Sequence, residues 1–327
     1  MATYYGTYGQ KVQYLASDPS DPQIGQVWYN STSAVLKVRQ EVATNSWSTG
    51  GNLNTARSGI MGFGTQTAAI GGGGYLGPST NATESYNGTS WTTVNTMGTA
   101  RYNGAGAGVQ TAGIAIGGWA FPSPAKNLVE SWNGTSWTGL TNLPQEKYRT
   151  AASGTQTAAL TFGGIGPGDT ITNTTFAWDG SSWTTGGNLN TARGFIRGAG
   201  TQTAAIAASG YVEPAYTPST ATENYNGTSW TSLNSMNSGR FGGSFFGTQS
   251  SAVYGGGDTN PGPNVTTTEL WNGTSWTTNP NSMAVAKGSR SSAGSSPAGL
   301  GFGGSPSTNS TEEWTGTQTL SRTVTVS

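Results

Sequence analysis

The hexapeptide YNGTSW at residues 86–91 recurs along the chain with little change. Its other copies are WNGTSW at 132–137, WDGSSW at 178–183, YNGTSW at 225–230 and WNGTSW at 271–276. Their closing tryptophans, with Trp47 added before them, are 44, 46, 46, 47 and 46 residues apart. A second marker, GTQTAAIGGGG at 64–74, recurs with the same period. Its last copy, SSPAGLGFGG at 295–304, is a weaker match. Six copies of the spaced tryptophan and six of the second marker indicate six similar structural units.

Each unit has the features of short antiparallel strands. Gly pairs and Thr-rich alternation replace the continuous 3.6-residue periodicity that a helical repeat needs. Asn-Gly between two short strands predicts a hairpin with a two-residue type I′ turn at 87–88, which places Glu84 opposite Trp91. A four-residue loop would instead place Tyr86 opposite Trp91, and either register puts the aromatic rings on one face. We expect that face to pack against the neighbouring sheet, with about 1.5–3 kcal/mol for each buried ring.

The first unit predicts four strands, with strand a near 56–62, b near 66–72, c near 82–86 and d near 90–94. In an antiparallel sheet the a–b and c–d turns then lie on one side, which is short, uniform and flat. The irregular b–c loops lie on the other side, the loop face, where function usually resides. These loops place five aromatic residues among prolines: Tyr75, Trp119, Phe121, Tyr211 and Tyr216.

A strand, a Gly pair, an aromatic residue and a later Trp resemble the kelch repeat of β-propeller blades, over roughly residues 47 to 315. The fourth unit departs from that pattern, because its Gly pair reads Ser209-Gly210. The resemblance implies an all-β chain that forms a six-bladed kelch-like β-propeller of four-stranded antiparallel blades with a short N-terminal β-hairpin extension. A seven-bladed ring remains the alternative, since residues 35–39 could begin a partial blade beside Trp47.

In a closed β-propeller, one blade usually contains strands from both ends of the chain. Residues 45–57 closely match residues 181–193, so we expect Trp47 to lie on a d strand that completes the sixth blade. The predicted domains are an N-terminal attachment segment with a hairpin at 1–44, the propeller at 45–318 and a C-terminal strand or tail at 319–327.

Charged residues recur with the same period. The repeated tryptophans Trp47, Trp91, Trp137, Trp183, Trp230 and Trp276 are accompanied by carboxylates at Glu84, Glu130, Glu223, Glu269 and Glu312. One arginine per unit recurs at the predicted start of strand a, namely Arg57, Arg101, Arg149, Arg193, Arg240 and Arg290. We expect these arginines to ring the channel mouth and either to brace the blades through Glu or to form an anion site.

The third unit has Phe176 where the others have Glu. One arginine near that blade, Arg149 or Arg193, should therefore lack its usual partner and is a candidate ligand-binding residue. The loop aromatics Trp119, Phe121, Tyr211 and Tyr216 are the other candidates, as sugar-stacking platforms or as anchors for a partner protein.

Composition narrows the function. The chain has 327 residues with neither Cys nor His, which removes thiolate nucleophiles, disulfides and most zinc and copper sites. We expect no catalytic residue, no metal and no cofactor. Fourteen basic and fourteen acidic residues cancel, so nothing steers the chain to nucleic acid. We find no apolar stretch of signal-peptide or membrane-spanning length, and expect synthesis in a host cytoplasm without membrane insertion.

Residues 22–40, PQIGQVWYNSTSAVLKVRQ, resemble a short hairpin of tailed-bacteriophage fibre and other virion proteins. The resemblance implies a virion protein attached to other virion proteins through residues 1–44 or through the flat turn face. The expected function is a non-enzymatic structural or adhesion module whose loop face binds a host surface glycan or another virion protein. Two alternatives remain: a glycan-active propeller enzyme of sialidase-like or lyase type, and an architectural protein without a ligand.

Overall fold

A computed structural model describes residues 12–120 and 127–324 of the chain. It divides into two compact units, Ser46–Thr315 and a smaller unit that combines Met1–Asn45 with Gly316–Ser327. In the described ranges, no helix is long and apolar enough to cross a membrane.

Five sheets of the larger unit have four antiparallel strands each, hydrogen-bonded in chain order. We call each sheet a blade and its strands a to d. Blades 1 and 2 are formed by Met61–Thr65, Ala68–Gly72, Thr83–Tyr86 and Trp91–Val94, and by Ala105–Val109, Ala112–Ile116, Val129–Trp132 and Trp137–Gly139. Blade 3 is formed by Ala151–Gly154, Ala159–Phe162, Thr175–Trp178 and Trp183–Thr185, with a 3-10 turn at Pro167–Asp169. Blades 4 and 5 are formed by Arg197–Gly200, Ala205–Ala208, Thr222–Tyr225 and Trp230–Leu233, and by Ser244–Gly247, Ala252–Asp258, Asn264–Trp271 and Trp276–Asn279. The b–c loop of blade 4 carries a two-stranded ribbon, Tyr211–Val212 with Thr217–Pro218.

Blade 6 uses both ends of the chain. Its strands a to d are Ser291–Ser295, Ala298–Phe302, Thr311–Thr323 and Val35–Thr49, in that order. The two long strands continue into the smaller unit. There Val27–Asn30 pairs antiparallel with the start of Val35–Thr49, and Gln13–Leu15 pairs parallel with Val27–Asn30.

The predicted position of strand a near 56–62 is wrong. The observed strand begins at Met61, because Gly59 has a left-handed backbone with φ +62° that interrupts the extended conformation. Residues 56–60 form the connection from strand d of the preceding blade. Arg57 therefore lies before the strand and not at its start.

The predicted type I′ turn is also wrong, and the four-residue alternative holds. Tyr86 lies directly opposite Trp91 in the sheet. The side-chain oxygen of Asn87 accepts hydrogen bonds from the backbone N–H groups of Thr89 and Ser90, at 3.0 and 2.9 Å. Only Gly88 of the Asn-Gly pair has positive φ, +93°. The Asn side chain thus closes a longer turn that does not require two left-handed residues.

The tryptophan of strand d packs on the preceding blade. Trp91 contacts Phe302 with ring centroids 4.8 Å apart, and Trp230 contacts Phe162 at 4.6 Å. The indole N–H usually donates to a threonine hydroxyl three residues before the recurring aromatic of strand c in that preceding blade, as in Trp91–Thr311, Trp137–Thr83, Trp230–Thr175, Trp276–Thr222 and Trp47–Thr268. Trp183 is the exception, because blade 2 has Val129 at that position, and its N–H donates to the Thr141 carbonyl.

The a–b turn makes a second contact between blades. The Gln66 side chain donates to the carbonyl of Trp314 at 2.8 Å. The same bond to the recurring aromatic residue of strand c in the preceding blade is made by Gln110–Tyr86, Gln156–Trp132, Gln202–Trp178 and Gln249–Tyr225. This bond explains the glutamine of the repeated GTQT motif, because it satisfies a backbone carbonyl of the preceding blade.

The a strands are the innermost contacts of the larger unit. Each a strand contacts that of the next blade, and Ser291–Ser295 of blade 6 contacts Met61–Thr65 of blade 1. They border two adjoining cavities, which we together call the channel and whose surface consists mainly of Gly, Ala and Ser.

Candidate functional site

The periodic arginines and glutamates form buried ion pairs within the blades. Four pairs have N–O distances between 2.9 and 3.1 Å: Arg57–Glu84, Arg193–Glu223, Arg240–Glu269 and Arg290–Glu312. Arg101 pairs with Glu130 in the same way. These arginine side chains are at most 1% exposed. The expected position at the channel mouth is therefore wrong for five of the six arginines, because their guanidinium groups are buried within their blades.

Each of these glutamates also accepts a backbone hydrogen bond. The second oxygen of Glu84 accepts from the N–H of Asn54 at 2.7 Å, and the corresponding donors elsewhere are Gly98, Asn190, Asn237 and Ala284. Burial lowers the pKa of the paired arginines, and the facing glutamate opposes that shift. Arg193, a candidate ligand residue from the sequence, belongs to this set and is inaccessible.

Blade 3 lacks the pair and has Lys147 in the arginine position. The N–H of Gly118 donates to the Lys147 carbonyl, as the N–H of Gly74 does to the Arg101 carbonyl. The Lys147 ammonium is buried, donates to the carbonyls of Gly163 and Thr174, and lies 5.2 Å from the ring centroid of Phe176. Burial lowers its pKa to about 7. Pro144, which has no N–H, occupies the position of the backbone donor to Glu.

Arg149 is therefore two residues out of register with the other arginines. It belongs to a ring of six left-handed residues, one per blade: Gly59, Asn103, Arg149, Phe195, Gly242 and Ser289. Backbone hydrogen bonds join blade to blade through them, from Gly59 N–H to Ser289, Asn103 to Gly59, Arg149 to Asn103 and Phe195 to Arg149. Arg149 and Phe195, with φ of +49° and +53°, hold a conformation that costs a non-glycine residue free energy.

The Arg149 site consists of Arg149, Tyr148, Phe195 and Tyr211. The guanidinium donates through Nη1 to the Tyr211 hydroxyl at 2.8 Å. It lies 5.1 Å from the ring centroid of Phe195 and 6.0 Å from those of Tyr148 and Tyr211. Within the described ranges, its Nε is buried without an acceptor, and no carboxylate lies within ion-pair distance. Arg149 is half-buried and presents an uncompensated cation among aromatic rings.

Both tyrosines of the Arg149 site, Tyr148 and Tyr211, have raised pKa values. Burial, with a hydrogen bond from the Tyr148 hydroxyl to Asp169 at 2.9 Å, raises the pKa of Tyr148. Burial also raises the pKa of Tyr211, and Arg149 acts against that shift. Both phenols are therefore neutral hydrogen-bonding groups near neutral pH.

Aromatic pairs continue the Arg149 site around the loop face. Ring centroids are 4.9 Å apart in Tyr75–Tyr102, 4.8 Å in Trp119–Tyr148 and 5.1 Å in Tyr211–Tyr216. We call these six residues the aromatic rim. Trp119 is half-buried and Tyr216 is 49% exposed, whereas Tyr211 is buried against Phe241. Phe121, also predicted, lies outside the described residues.

The sequence indicated Trp119, Arg149, Tyr211 and Tyr216 as site residues, and the structure links them through Tyr148 and Tyr211. It missed Tyr148, Tyr102 and Phe195. Tyr102 and Tyr148 are one repeat apart and each follows the buried cation of its blade, so the period carried a signal for them. Phe195 had no such signal, because its role depends on a left-handed backbone in the ring.

The site offers two chemical features. One is a cation that can form paired hydrogen bonds, and the other is the set of flat apolar ring surfaces around it. A guanidinium with free N–H groups favours a carboxylate or another planar anion, and aromatic rings favour the apolar face of a sugar. In the described residues, no three His, Cys, Asp or Glu side chains are grouped so as to hold a metal ion.

Comparison with known proteins establishes the fold. No protein-family model matches the chain, and no curated protein matches its sequence. The solved structure titled "Structure of YjhT" is similar, with a TM-score of 0.67 and 14% identity, over 84% of this chain and 100% of that chain. The likeness confirms the prediction of an all-β chain with a β-propeller fold of four-stranded antiparallel sheets. At this identity it carries no function.

Proposed function

We propose that this chain is a non-enzymatic binding module whose loop face holds an acidic sugar of a host surface glycan at Arg149. The observation that carries the proposal is the half-buried Arg149 guanidinium, which has an unsatisfied Nε and no carboxylate partner in the part of the chain described. A sugar carboxylate would accept from the Nη2 group of Arg149, which has no acceptor among the described residues. The rim residues Trp119 and Tyr216 would stack on the ring of that sugar or the next one.

The scaffold of this module is a six-bladed kelch-like ring. Contact between the a strands of blades 6 and 1, and the backbone bond from Gly59 to Ser289, support closure at six blades. The Gly pairs and recurring tryptophans support the kelch assignment. Strand d of blade 6, with Trp47, supplies the closing strand.

Residues 1–44 are the attachment segment to the virion in this proposal. The support is the resemblance of residues 22–40 to a hairpin of tailed-bacteriophage virion proteins. Val27–Asn30 and Val35–Thr49 do form an antiparallel hairpin, with Trp28 buried against neighbours of the smaller unit. Another virion protein is the alternative ligand of the loop face.

Arg149→Met tests the binding function. Binding of the purified protein to an array of acidic and neutral glycans should select acidic members, and the substitution should weaken that binding about 10- to 100-fold, the value of a charge-assisted hydrogen bond. Lys287→Met, at a half-exposed cation on the same side of blade 6, is the matched control and should bind like the parent. Selection of neutral glycans, or equal binding by Arg149→Met, would show that Arg149 is not the site.

One observation favours a glycan-active enzyme as the second candidate. Tyr148 lies beside Arg149 and donates to Asp169, an arrangement that could activate a phenol as a nucleophile. The raised pKa of Tyr148 argues against it, because a nucleophilic tyrosine needs its phenolate. Turnover of an array-selected glycan by the parent protein, and its loss in Tyr148→Phe, would replace the binding proposal with an enzymatic one.

A further inference from the structure

Among the described residues that line the channel, Arg197 is the charged one. It is the first residue of strand a in blade 4, where the other blades have Met61, Ala105, Ala151, Ser244 and Ser291. Its guanidinium lines the channel together with glycine, alanine and serine residues of other a strands. Arg197 belongs neither to the buried arginine–glutamate pairs nor to the Arg149 site.

The side chain crosses from blade 4 to its neighbours. Its Nε donates to the carbonyl of Gly243 in blade 5 at 2.8 Å, and its Nη2 donates to the carbonyl of Arg290 at the edge of blade 6 at 2.7 Å. A guanidinium has five N–H groups, so three remain. Among the described residues, Nη1 has no hydrogen-bond acceptor, and it is not sealed from the channel.

No carboxylate balances this charge in the described ranges of the chain, where all six ion pairs involve other cations. One face of the guanidinium lies 5.2 Å from the ring centroid of Phe195. Burial lowers the pKa of Arg197, and Tyr254 acts against that shift. Two carbonyl dipoles and an aromatic ring compensate a full positive charge only in part.

The channel next to Arg197 has space and a second donor. It contains a cavity of about 80 Å³, lined among others by Thr150, Arg197 and Ser291. That volume holds several water molecules or one small ion with water. The Ser291 hydroxyl has no hydrogen-bond partner among the described residues and can turn toward an anion. Thr150 is already bonded to Thr161 and to backbone carbonyls.

We propose that this cavity is a binding site for one small monovalent anion of halide size, held by Arg197 and the Ser291 hydroxyl. A single cation with an otherwise neutral lining balances one negative charge and not two. A second cavity of about 120 Å³ continues the channel past Gly106, Gly198 and Phe245 to the glycines beside the a–b turns. The anion would enter from that flat side, away from Arg149. Such an anion ties blades 4, 5 and 6 together.

Bromide replaces chloride in the test, because its anomalous scattering locates it in crystals. Crystals of the full chain soaked in sodium bromide should show an anomalous peak in the channel beside Arg197, and Arg197→Met should lose it. In solution, the Tm should rise by about 1–3 °C when chloride or bromide replaces the bulky anion gluconate at equal ionic strength. That rise should vanish in Arg197→Met and shrink in Ser291→Ala.

Arg149→Met separates this site from the proposed glycan function, since it should keep the channel peak and the halide-dependent Tm while losing glycan binding. If Arg197→Met does not fold, the parent crystals and Ser291→Ala decide the matter. The proposal is wrong if soaked parent crystals show no bromide in the channel, or if Arg197→Met keeps the peak. It is also wrong if the Tm of the parent protein is the same in halide and gluconate.

Discussion

At the scale of single residues, blade 3 shows that one replacement requires others. Glutamate becomes Phe176, arginine becomes Lys147, and the backbone donor to glutamate becomes Pro144. Each change removes one partner of a bond that the other blades make, so no buried carboxylate is left without its N–H or its guanidinium. What remains is one buried ammonium between two carbonyls and an aromatic ring.

Lys147 should make stability depend on pH. Burial lowers its pKa from 10.5 to about 7. Between these values the unfolded chain binds a proton that the folded chain does not, so the contribution of Lys147 to stability rises with pH across that window. The rise is at most about 1.4 kcal/mol per pH unit. The Tm of the parent relative to Lys147→Met should therefore be higher at about pH 9 than at about pH 6.5.

The hydrogen bonds of Lys147 are absent from Lys147→Met at both pH values. Their loss therefore does not contribute to the change of the Tm difference with pH. Lys287→Met is the control for general effects of pH, since Lys287 is half-exposed and bonded to the Pro306 carbonyl. A Tm difference between parent and Lys147→Met that stays constant with pH would contradict burial of a titrating ammonium.

Arg149 shows what sequence could and could not predict at this scale. Its spacing of 48 residues from Arg101 and 44 from Arg193 departs from the 46-residue spacing of the neighbouring tryptophans. That irregularity signalled a register shift. The sequence did indicate that blade 3 has an unpaired cation. It could not show that two cations result, with Lys147 in the buried arginine position and Arg149 on the loop face. The separate roles of Lys147 and Arg149 depend on the left-handed backbone conformation of Arg149, which arginine rarely adopts.

At the scale of the element, strand number and order followed from the period, while the detailed turns did not. Asn-Gly favours two turn types, and the Asn87 side chain decided between them through bonds to two backbone N–H groups. The exception at Trp183 follows from Val129, which cannot accept a hydrogen bond. That pairing was present in the sequence, but only the contact between blades gives it meaning.

The a–b turn of blade 6 lacks the interblade bond that the other five make. Ser296 occupies the glutamine position, so the carbonyl of Trp271 in blade 5 receives no such donor from the described residues. Ser296→Gln should supply it and stabilise the protein by about 0.5–1.5 kcal/mol, which corresponds to a Tm increase of about 1–3 °C. Thermal unfolding of the variant measures this directly.

Gln110→Ser is the reciprocal change, since it removes the bond to the Tyr86 carbonyl and should lower the Tm by a similar amount. Ser296→Gln also removes the hydroxyl that bonds to Ser251 of blade 5 at 2.9 Å, so the measured gain is that of the new bond less that of the lost one. A Tm decrease for Ser296→Gln together with no change for Gln110→Ser would show that the glutamine bond is not a stabilising contact.

At the scale of the whole larger unit, stability depends on a strand that comes from the other end of the sequence. Trp47, on strand d of blade 6, lies 5.4 Å from Trp314 and 5.9 Å from Phe246, measured between ring centroids. Its indole N–H donates to Thr268 at 2.9 Å. Burial of an aromatic ring at an interface between blades contributes several times the value of one surface contact.

Removal of residues 1–50 should therefore be costly, whereas removal of residues 1–34 should leave the Tm of the larger unit nearly unchanged. The longer deletion takes away Trp47 and exposes the edge of strand Thr311–Thr323, which can then pair with other chains. We expect a Tm lower by at least about 10 °C, or aggregation, by scaling a loss of several kcal/mol. The shorter deletion keeps Val35–Thr49 intact and controls for loss of the N-terminal segment.

Trp47→Ala in the full chain separates the contribution of the indole ring from that of the strand and should lower the Tm by an intermediate amount. An unchanged Tm after deletion of residues 1–50 would mean that the sixth blade is stable without its fourth strand, and closure would then have to be carried by the a strands alone.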